Sequence, residues 1–469
     1  MAALLVVFTV CSFSFSSPSL EWSIEYFPYL YSHFTELIQA STGDIYISGW
    51  ASDQCLFKVD PQGELLWSYG MEGYGNQKAC DLLELSDGTI AVTGTCRNNN
   101  HYSFFVAKVT PDGQSVWERI YDINPEQSEY AHSIDAFPDG NMMVCGSSGS
   151  LNLRYETNCQ AYVMYINPNG DLIWDGNWGN DSFTNFALRA TWSGRRFNIL
   201  AHGTDGGTGA PHVLWFSPDG TYLGRERINA LASYYTGNGL ANSDEGFTFT
   251  SNSGYVKSPQ YAILSYVDSG GRISWSTHVE DYLTRGMCVT QTAAGNYLYG
   301  GGEIYYINPG QPWWTGDWRG VLYLFNELGE KLWYFPITLD ECERLDGVIE
   351  TSSGSILACG GSSTDSYLYC FEDDTGIEES PSSTVSFSLY PNPFSDSVSM
   401  DIKTENNPEN IHIMVMDIAG RTVYQTTIHG QEADSYSASW TPGSGTPRGY
   451  YIITVATATA ITSKACLLL

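Results

Sequence analysis

The amino-acid sequence predicts an all-β fold in which a seven-bladed β-propeller, closed by its N-terminal strand, precedes a small Ig-like β-sandwich. Three observations lead to this prediction. A turn followed by a tryptophan strand recurs with a period of about 50 residues, which is typical of propeller blades. Aromatic residues make up 14% of the 469 residues and glycine contributes 47, a composition that favours strands and turns. After Gly376 the sequence becomes rich in serine, proline and acidic residues.

The recurring motif is a tight turn that ends in glycine, with a tryptophan four residues later. Glycine suits this position because the turn requires positive φ. The clearest copy is TPDGQSVW, Thr110–Trp117. The other copies, the last of which is a turn without a following strand, are Asp60–Trp67, Asn167–Trp174, Ser217–Gly224, Asp268–Trp275, Asn326–Trp333 and Asp373–Gly376.

Each repeat is interpreted as four strands, the first of which ends at a second turn glycine. Seven such glycines predict seven blades: Gly43, Gly88, Gly140, Gly194, Gly246, Gly295 and Gly354. The short turns then fall on one side of the disc. The variable connections between the second and third strands fall on the other side, where we expect function to reside.

The N-terminal segment explains why the last repeat is incomplete. Glu21–Tyr26 matches the tryptophan strand Trp117–Tyr121, but no three strands precede it. We expect it to supply the outer strand of the last blade, beside the strand that ends near Phe371, because this pairing closes the ring and leaves fewer exposed edges. The tryptophans are then packing elements between blades, and Gly224 predicts that the fourth blade is the least regular.

The net charge and the N-terminal residues limit the functions that the chain could have. A formal net charge of −31 excludes nucleic acid as a partner, since nucleic acids are bound through Lys and Arg. Residues 1–17 contain an apolar run and small residues, which indicates an export signal. No later segment reaches the roughly 18 apolar residues of a membrane span. We expect a monomer that is secreted or attached to the outer surface of a bacterium.

In this setting Cys359 and Cys370, on strands expected to be neighbours, are either oxidised or buried thiols.

The longest variable loop, within Glu303–Arg319, provides the first candidate binding site. Its planar side chains and polar neighbours are typical of a surface that stacks sugar rings and hydrogen-bonds their hydroxyls. The alternative is that the loop folds over its own blade and buries the indoles. The candidate residues are Trp313, Trp314, Trp318, Asp317, Arg319 and Tyr305.

The second candidate site comes from aligning the first strands, which line the channel of a propeller. Ten residues before the turn glycines stand His33, Lys78, Arg285 and Arg344 among the seven aligned positions. This basic mouth could bind an anionic group, and the residues two or three positions later could tune pKa values or hold a cation. Local ion pairs in a solvated channel are the alternative. Those later residues include Glu36, Asp81, His132 and Asp346.

Motifs for catalysis and for cofactors were not found. The sequence has no HExxH, GxSxG or phosphate-binding loop, the patterns that common hydrolases and nucleotide enzymes require. The abundant Asp and Glu leave a carboxylate pair for glycoside hydrolysis open. We predict no cofactor and no metal site, and only the channel acids would favour Ca²⁺.

The repeat array, 20–376, resembles secreted bacterial propeller repeats that combine DG-x-x-V-x-G with D-x-x-G-x-x-x-W.

After a linker at 377–386, the region 387–469 is predicted to be a sandwich from its short alternating strands. It carries SLYPNPF at Ser388–Phe394, MDIAGRTV at Met416–Val423 and RGYYIITV at Arg448–Val455. These motifs resemble the C-terminal sorting domain of the bacterial type IX secretion system, and the resemblance implies recognition by the outer-membrane translocon. The residues that carry it are Tyr390, Pro391, Asn392, Pro393, Phe394, Gly420, Arg421, Gly449 and Lys464.

The sequence favours an exported, non-catalytic binding or adhesion module for an extracellular polymer such as a glycan. Two other functions remain open. One is a polysaccharide hydrolase or lyase that uses carboxylates at the channel mouth, and the other is a scaffold that only presents surface.

Overall fold

The computed structural model describes most of the chain. Its described residues are 18–27, 31–150, 159–178, 186–205, 208–228, 233–243, 246–253, 261–279, 284–306, 317–338, 342–362, 364–372, 385–391, 394–404, 410–417, 422–429, 435–443, 446–456 and 461–468. Within them every regular element is a β-strand, and no helix there could cross a membrane. The predicted signal at 1–17 lies outside this set. The chain divides into two units, Met1–Asp374 and Thr375–Leu469.

The described part of the first unit contains seven antiparallel four-stranded sheets. The first strand of the chain, β1 (Ser19–Tyr26), belongs to the last of them, and each of the other six consists of four consecutive strands. The first sheet contains β2 (Ser32–Gln39), β3 (Ile45–Ala51), β4 (Gln54–Val59) and β5 (Leu65–Tyr69). The second contains β6 (Gly75–Glu84), β7 (Ile90–Asn98), β8 (His101–Val109) and β9 (Ser115–Tyr121). The third contains β10 (Ser128–Ala136), β11 (Met142–Ser150), β12 (Gln160–Ile166) and β13 (Leu172–Trp178).

The remaining sheets of this unit repeat the same order. The fourth contains β14 (Phe186–Trp192), β15 (Phe197–Asp205), β16 (Thr208–Phe216) and β17 (Tyr222–Arg227). The fifth contains β18 (Ser233–Ser243), β19 (Gly246–Ser253), β20 (Tyr261–Asp268) and β21 (Ile273–His278). The sixth contains β22 (Thr284–Gln291), β23 (Tyr297–Tyr306), β24 (Asp317–Phe325) and β25 (Lys331–Pro336). The seventh contains β26 (Arg344–Glu350), β27 (Ile356–Gly361), β28 (Ser366–Glu372) and β1.

The N-terminal strand pairs where the sequence predicts. Strand β1 runs antiparallel to β28, with Trp22 opposite Cys370 and Ser23 opposite Tyr369. The first strands of consecutive sheets contact one another along the chain, and β26 of the seventh sheet contacts β2 of the first. The two ends of the array are therefore neighbours.

The tryptophans pack against the turn glycine of the following sheet. A Cβ atom added to that glycine would meet the indole at 2.3 to 3.1 Å, so only glycine allows this approach. The pairs are Trp22 with Gly63, Trp67 with Gly113, Trp117 with Gly170, Trp174 with Gly220, and Trp275 with Gly329. Several of these indoles also donate a hydrogen bond to a carbonyl of the same turn, as Trp117 does to Pro168 at 3.0 Å. The predicted packing role of the tryptophans between sheets is confirmed.

The fourth sheet keeps the regular order although Gly224 replaces its tryptophan. Gly224 lies opposite Trp215 of β16, and Trp215 packs against Gly271 of the fifth sheet's turn in the same way as the other tryptophans. The guanidinium of Arg196 lies 4.5 Å from the Trp215 ring centre. Trp215 thus takes the packing place that the outer-strand tryptophan has in other sheets, so the expected irregularity is compensated.

The first strand of each of the seven sheets contains a bulge. Residues at the same distance from the turn glycine therefore need not be equivalent in two sheets. A bulge adds one residue and interrupts the alternation of side chains. The irregularities fall between Phe34 and Glu36, Ala79 and Asp81, Ala131 and Ser133, Ala187 and Arg189, Thr236 and Leu240, Gly286 and Cys288, and Leu345 and Gly347. His132 and Asp346 are thus extra residues inside a bulge, whereas Glu36 and Asp81 follow one.

The second unit has two sheets that share one core. One sheet contains β29 (Val385–Tyr390), β30 (Val398–Thr404) and β33 (Ser435–Trp440). The other contains β31 (Asn410–Asp417), β32 (Thr422–His429), β34 (Gly449–Ala456) and β35 (Ile461–Leu468). Met400 and Ile402 of the first sheet are fully buried in the same cluster as Ile411 and Val415 of the second. Burial of these apolar faces against each other is what stabilises two small sheets.

Cys359 and Cys370 lie on the adjacent strands β27 and β28, as expected. They are not opposite each other, because Cys370 is paired with Leu357 and Cys359 with Leu368. Both are buried free thiols, and burial raises the pKa of each. The structure thus agrees with the interpretation as small apolar core residues.

Candidate functional site

Three of the predicted channel-mouth residues meet where the seventh sheet contacts the first. The Nε atom of Arg344 donates to both carboxylate oxygens of Asp346, at 3.1 and 3.0 Å. The His33 ring has Nε2 at 3.0 Å from Asp346 Oδ2 and 2.9 Å from Arg344 Nη2, while its Nδ1 lies 3.3 Å from the Ser362 carbonyl oxygen. Burial alone would raise the pKa of Asp346, but Arg344 and His33 outweigh it and lower that pKa.

A tryptophan extends this group toward the second sheet. Trp50 of β3 packs on His33 with ring centres 5.0 Å apart. The ammonium of Lys78, on β6, lies 4.8 Å from the Trp50 ring centre. Lys78 is exposed and Trp50 is half-buried, while the Arg344 side chain keeps 35% of its surface exposed. We call Arg344, His33, Trp50 and Lys78 the cationic row.

The cationic row combines features that suit an anionic ligand. Lys78 and Arg344 lie at the two ends of the packed His33–Trp50 ring pair, and the four residues belong to three sheets that are adjacent in space. Guanidinium and ammonium groups bind carboxylates and sulfates, and an indole offers a flat apolar face for a sugar ring or another planar group. The formal charge of −31 makes an exposed cationic surface exceptional in this chain.

The acidic residues Glu36 and Asp81 assemble around an arginine that sequence analysis missed. Arg189 of the fourth sheet places Nη1 at 2.9 Å from Glu36 Oε2 of the first sheet and 3.1 Å from Asp81 Oδ1 of the second. Asp81 also accepts hydrogen bonds from Ser133 Oγ at 2.6 Å and the Ile134 amide at 3.0 Å in the third sheet. This buried network joins four sheets.

Glu36 and the nearby Asp135 have raised pKa values. Burial, with a contribution from Asp81, raises the pKa of Glu36 to about 7, although Arg189 opposes the shift. Burial raises the pKa of Asp135 to about 6, against two backbone hydrogen bonds that favour its charge. For Arg189, burial works against the charged form, but the carboxylates of Asp81 and Glu36 dominate and raise its pKa.

The two remaining members of the predicted channel mouth are His132 and Arg285. His132 packs near Phe186, with ring centres 6.4 Å apart, because it is the extra residue of its bulge. Arg285 lies on β22, and its side chain is outside the described set. No three His, Cys, Asp or Glu side chains of the described residues are placed to hold a metal ion.

The predicted aromatic loop is shorter than the sequence suggests. Glu303 and Arg319 are paired residues of β23 and β24, and Arg319 donates to Glu303 at 2.7 to 2.8 Å and to the Tyr334 hydroxyl at 3.1 Å. The interpretation of Tyr305, Asp317, Trp318 and Arg319 as loop residues was therefore wrong. This extension of the sheet is favoured by the Glu303–Arg319 ion pair.

Four tryptophan and aspartate residues of the predicted aromatic site remain to be placed. Trp318 is half-buried near Gly302, and Asp317 is exposed. Trp313 and Trp314 lie outside the described residues.

The motif residues of the second unit divide into buried and exposed ones. Phe394 is 2% exposed and packs against Trp440, with ring centres 5.6 Å apart, while Tyr390 is 79% exposed and precedes Pro391 through a cis peptide bond. Gly449 begins β34 at φ 144°. Lys464 lies within β35, rather than before the last strand, and its ammonium is 5.8 Å from the Phe387 ring centre. Asn392, Pro393, Gly420 and Arg421 are not among the described residues.

Comparisons with known proteins assign the second unit and the fold of the first. Residues 388–468 match the model of the secretion system C-terminal sorting domain. None of the curated proteins compared with the chain matches it. The chain is similar to the WD40 β-propeller domain of Doa1, with a TM-score of 0.50 and 12% identity over 78% of this chain and 99% of that one.

Two bacterial structures are similar at lower TM-scores. The extracellular domain of a hybrid two-component system of B. thetaiotaomicron has a TM-score of 0.44 and 11% identity, over 93% of this chain and 55% of that one. A Dyadobacter fermentans protein of unknown function has a TM-score of 0.45 and 10% identity, over 75% and 98%. The chain is therefore an all-β protein of the propeller type that carries a type IX sorting domain at its C-terminus and is secreted to the outer surface or the medium.

Proposed function

We propose that the chain is a seven-bladed propeller, 20–376, closed by its N-terminal strand and followed by an Ig-like sorting sandwich, 387–469. Three features support the closed ring: seven four-stranded sheets, the contact of β26 with β2, and the packing of Trp22 on Gly63. Trp22 is paired with the seventh sheet and its indole touches the first. Such closure removes two open sheet edges, which are otherwise sites of aggregation.

We propose further that this propeller is a non-catalytic binding module for an anionic extracellular polymer. The single observation that carries the proposal is the cationic row, in which Lys78 and Arg344 flank Trp50 and His33 on adjacent sheets. The ligand group is a carboxylate or sulfate, as on an acidic polysaccharide. Arg344 is oriented by Asp346, and a partly neutralised guanidinium with a free face still binds oxyanions.

The experiment measures binding of the full mature chain to oligogalacturonate, with neutral cellohexaose as the comparison. Lys78→Ala is the test variant because Lys78 is exposed and its loss leaves no buried charge unpaired. Lys331→Ala, on the outer strand of the sixth sheet, is a control with the same change in net charge. We expect Lys78→Ala to weaken oligogalacturonate binding by about tenfold or more, and Lys331→Ala to have little effect.

The proposal fails if oligogalacturonate does not bind, or if the two variants weaken binding equally. Equal weakening would indicate only a general electrostatic attraction. Binding that is retained in Lys78→Ala but lost when Trp313 and Trp314 are both changed to alanine would instead favour the aromatic loop as the site.

The raised pKa of Glu36 beside Asp81 favours one alternative function, a hydrolase or lyase that uses these carboxylates. A pKa of about 7 is suited to a general acid. However, Arg189 binds both carboxylates directly, and their side chains are only 15% and 2% exposed. We therefore assign the network a structural role. Release of new reducing ends from oligogalacturonate, abolished by Glu36→Gln, would support the enzyme instead.

A further inference from the structure

A cleft lies between the third and fourth sheets. Its volume is about 310 Å³, within the range of small-molecule sites. Trp174 and Trp178 of β13 form one wall, and Phe216 and Tyr222 of the fourth sheet form the other. It lies on the outer strands, away from the cationic row.

Trp178 occupies a position at which two other repeats have tyrosine and the remaining four have Met71, Ile228, Val279 and Ile337. Four residues after their tryptophans, Tyr26 and Tyr121 donate a hydroxyl hydrogen bond to the carbonyl of the next turn glycine, Gly63 and Gly170. These bonds close the junction. Trp178 has no hydroxyl, and its ring lies over Gly176, which has no side chain to obstruct it.

The displaced indole builds a continuous aromatic surface. The Trp178 ring lies edge-on to Phe216 at 5.2 Å and is 5.6 Å from Tyr222, while Trp174 stacks on Phe216 at 5.5 Å. Tyr222 is 41% exposed, and both tryptophans are half-buried. Because these rings contact one another, they present one continuous surface to a ligand and do not surround it.

The Trp174 indole, which lines the cleft, makes different contacts from its counterparts in other repeats. In other repeats the indole N–H of Trp67, Trp117 or Trp275 donates to a carbonyl of the next turn. At this junction the carbonyl of Pro218 accepts instead from the Tyr165 hydroxyl. The described residues give Trp174 no such hydrogen bond, and its Nε1 points at Gly220, where an added Cβ would lie at 2.3 Å.

The polar lining is acidic. Asp175 and Asp219 line the cleft together with Thr221, and no cationic side chain does. Asp175 accepts a hydrogen bond from Tyr162 at 2.5 Å, and hydrogen bonds from Ser217 and Thr221 lower the pKa of Asp219. Both are thus carboxylates that accept hydrogen bonds and repel anions.

We propose that this cleft binds a neutral pyranose residue of a glycan. A sugar ring would stack on Trp178 and Tyr222 and donate hydroxyl hydrogen bonds to the carboxylates of Asp175 and Asp219. An ammonium ligand is disfavoured because it needs rings that surround it. The site is separate from the cationic row, so each proposal can fail independently.

The test uses calorimetric titration of the full mature chain with cellohexaose, β-1,4-mannohexaose and laminarihexaose. Trp178→Tyr removes the indole and introduces the residue that two other repeats have here, and its hydroxyl is expected to bond to the turn as those of Tyr26 and Tyr121 do. At least one neutral hexasaccharide should bind, and Trp178→Tyr should weaken it by about tenfold or more. Lys331→Ala, on β25 of the sixth sheet, should leave this binding unchanged.

Three results would overturn the inference. The first is that no neutral hexasaccharide binds at millimolar concentration. The second is that Trp178→Tyr, shown to be folded by its unfolding transition, binds as tightly as the wild type. The third is that tetramethylammonium or oligogalacturonate, rather than a neutral sugar, binds in a manner that depends on Trp178.

Discussion

The indole of Trp22 packs against Gly63, although Trp22 is hydrogen-bonded to the seventh sheet and Gly63 lies in a turn of the first. The hydroxyl of Tyr26 on the same strand donates to the Gly63 carbonyl oxygen. One short strand therefore connects the last sheet to the first through its backbone on one side and its side chains on the other. The stability of the whole unit should depend on this junction.

The junction can be tested by adding a methyl group at Gly63. In Gly63→Ala the new Cβ would lie 2.5 Å from Ile24 and 3.0 Å from Trp22. Gly43 is a matched control, since its φ of 91° is close to the 86° of Gly63 but no atom lies within 4 Å of its added Cβ. We expect Gly43→Ala to lower the free energy of unfolding by about 1 kcal/mol through backbone strain. Gly63→Ala should cost about 1–3 kcal/mol more, measured by chemical denaturation. An equal loss of unfolding free energy in the two variants would contradict the packing of Ile24 and Trp22 against Gly63.

A second prediction concerns Trp215, which replaces the missing tryptophan of the fourth sheet. Trp215→Ala should destabilise the unit by about 3–5 kcal/mol, as Trp117→Ala should. The phenylalanine variants should differ, because Trp117 donates to Pro168 at 3.0 Å whereas the Trp215 Nε1 is buried without a partner in the described structure. Trp215→Phe should therefore be less costly than Trp117→Phe by about 1 kcal/mol. If Trp215→Phe lowered the denaturation midpoint more than Trp117→Phe does, the result would contradict the role of Trp215 as the replacement for the missing tryptophan.

The acids around Arg189 predict an unusual dependence of stability on pH. The pKa of Glu36 is about 7 in the folded state, above its usual value near 4.5. Folded protein thus holds more protons than unfolded protein between about pH 4.5 and 7, and stability falls as pH rises through that window. Glu36→Gln should make the slope in this window less negative, while Asp135, with a pKa of about 6, preserves part of it. An unchanged slope in urea denaturation would show that Glu36 is ionised throughout.

The sequence predicted the repeat, the pairing of β1 and the packing of the tryptophans because each depends on local residue types at a fixed spacing. Glycine at positive φ and tryptophan on the next strand are visible without coordinates. Gly246 is an exception, since it begins β19 without a positive φ and is required by the approach of the Val267 carbonyl.

The candidate sites were less predictable because they depend on contacts between sheets. His33, Lys78 and Arg344 were found by alignment on the turn glycines, but Trp50 lies on a second strand that this alignment did not include. Arg189 stands five residues before Gly194 and reaches the first and second sheets from the fourth. The bulge in each first strand also shifted His132 relative to Asp81. Contacts across the ring leave no spacing signal in one sequence.

The cationic row exists only if the seventh sheet lies beside the first, since Arg344 belongs to one and His33 and Trp50 to the other. Hydrogen exchange of the native chain, followed by mass spectrometry, tests that arrangement most directly. We predict that amides of 20–26 are protected to the same degree as those of 366–371 and lose protection in the same step as denaturant is added. Rapid exchange of 20–26 while 366–371 stays protected would show that the strand is detached and would contradict the closed ring.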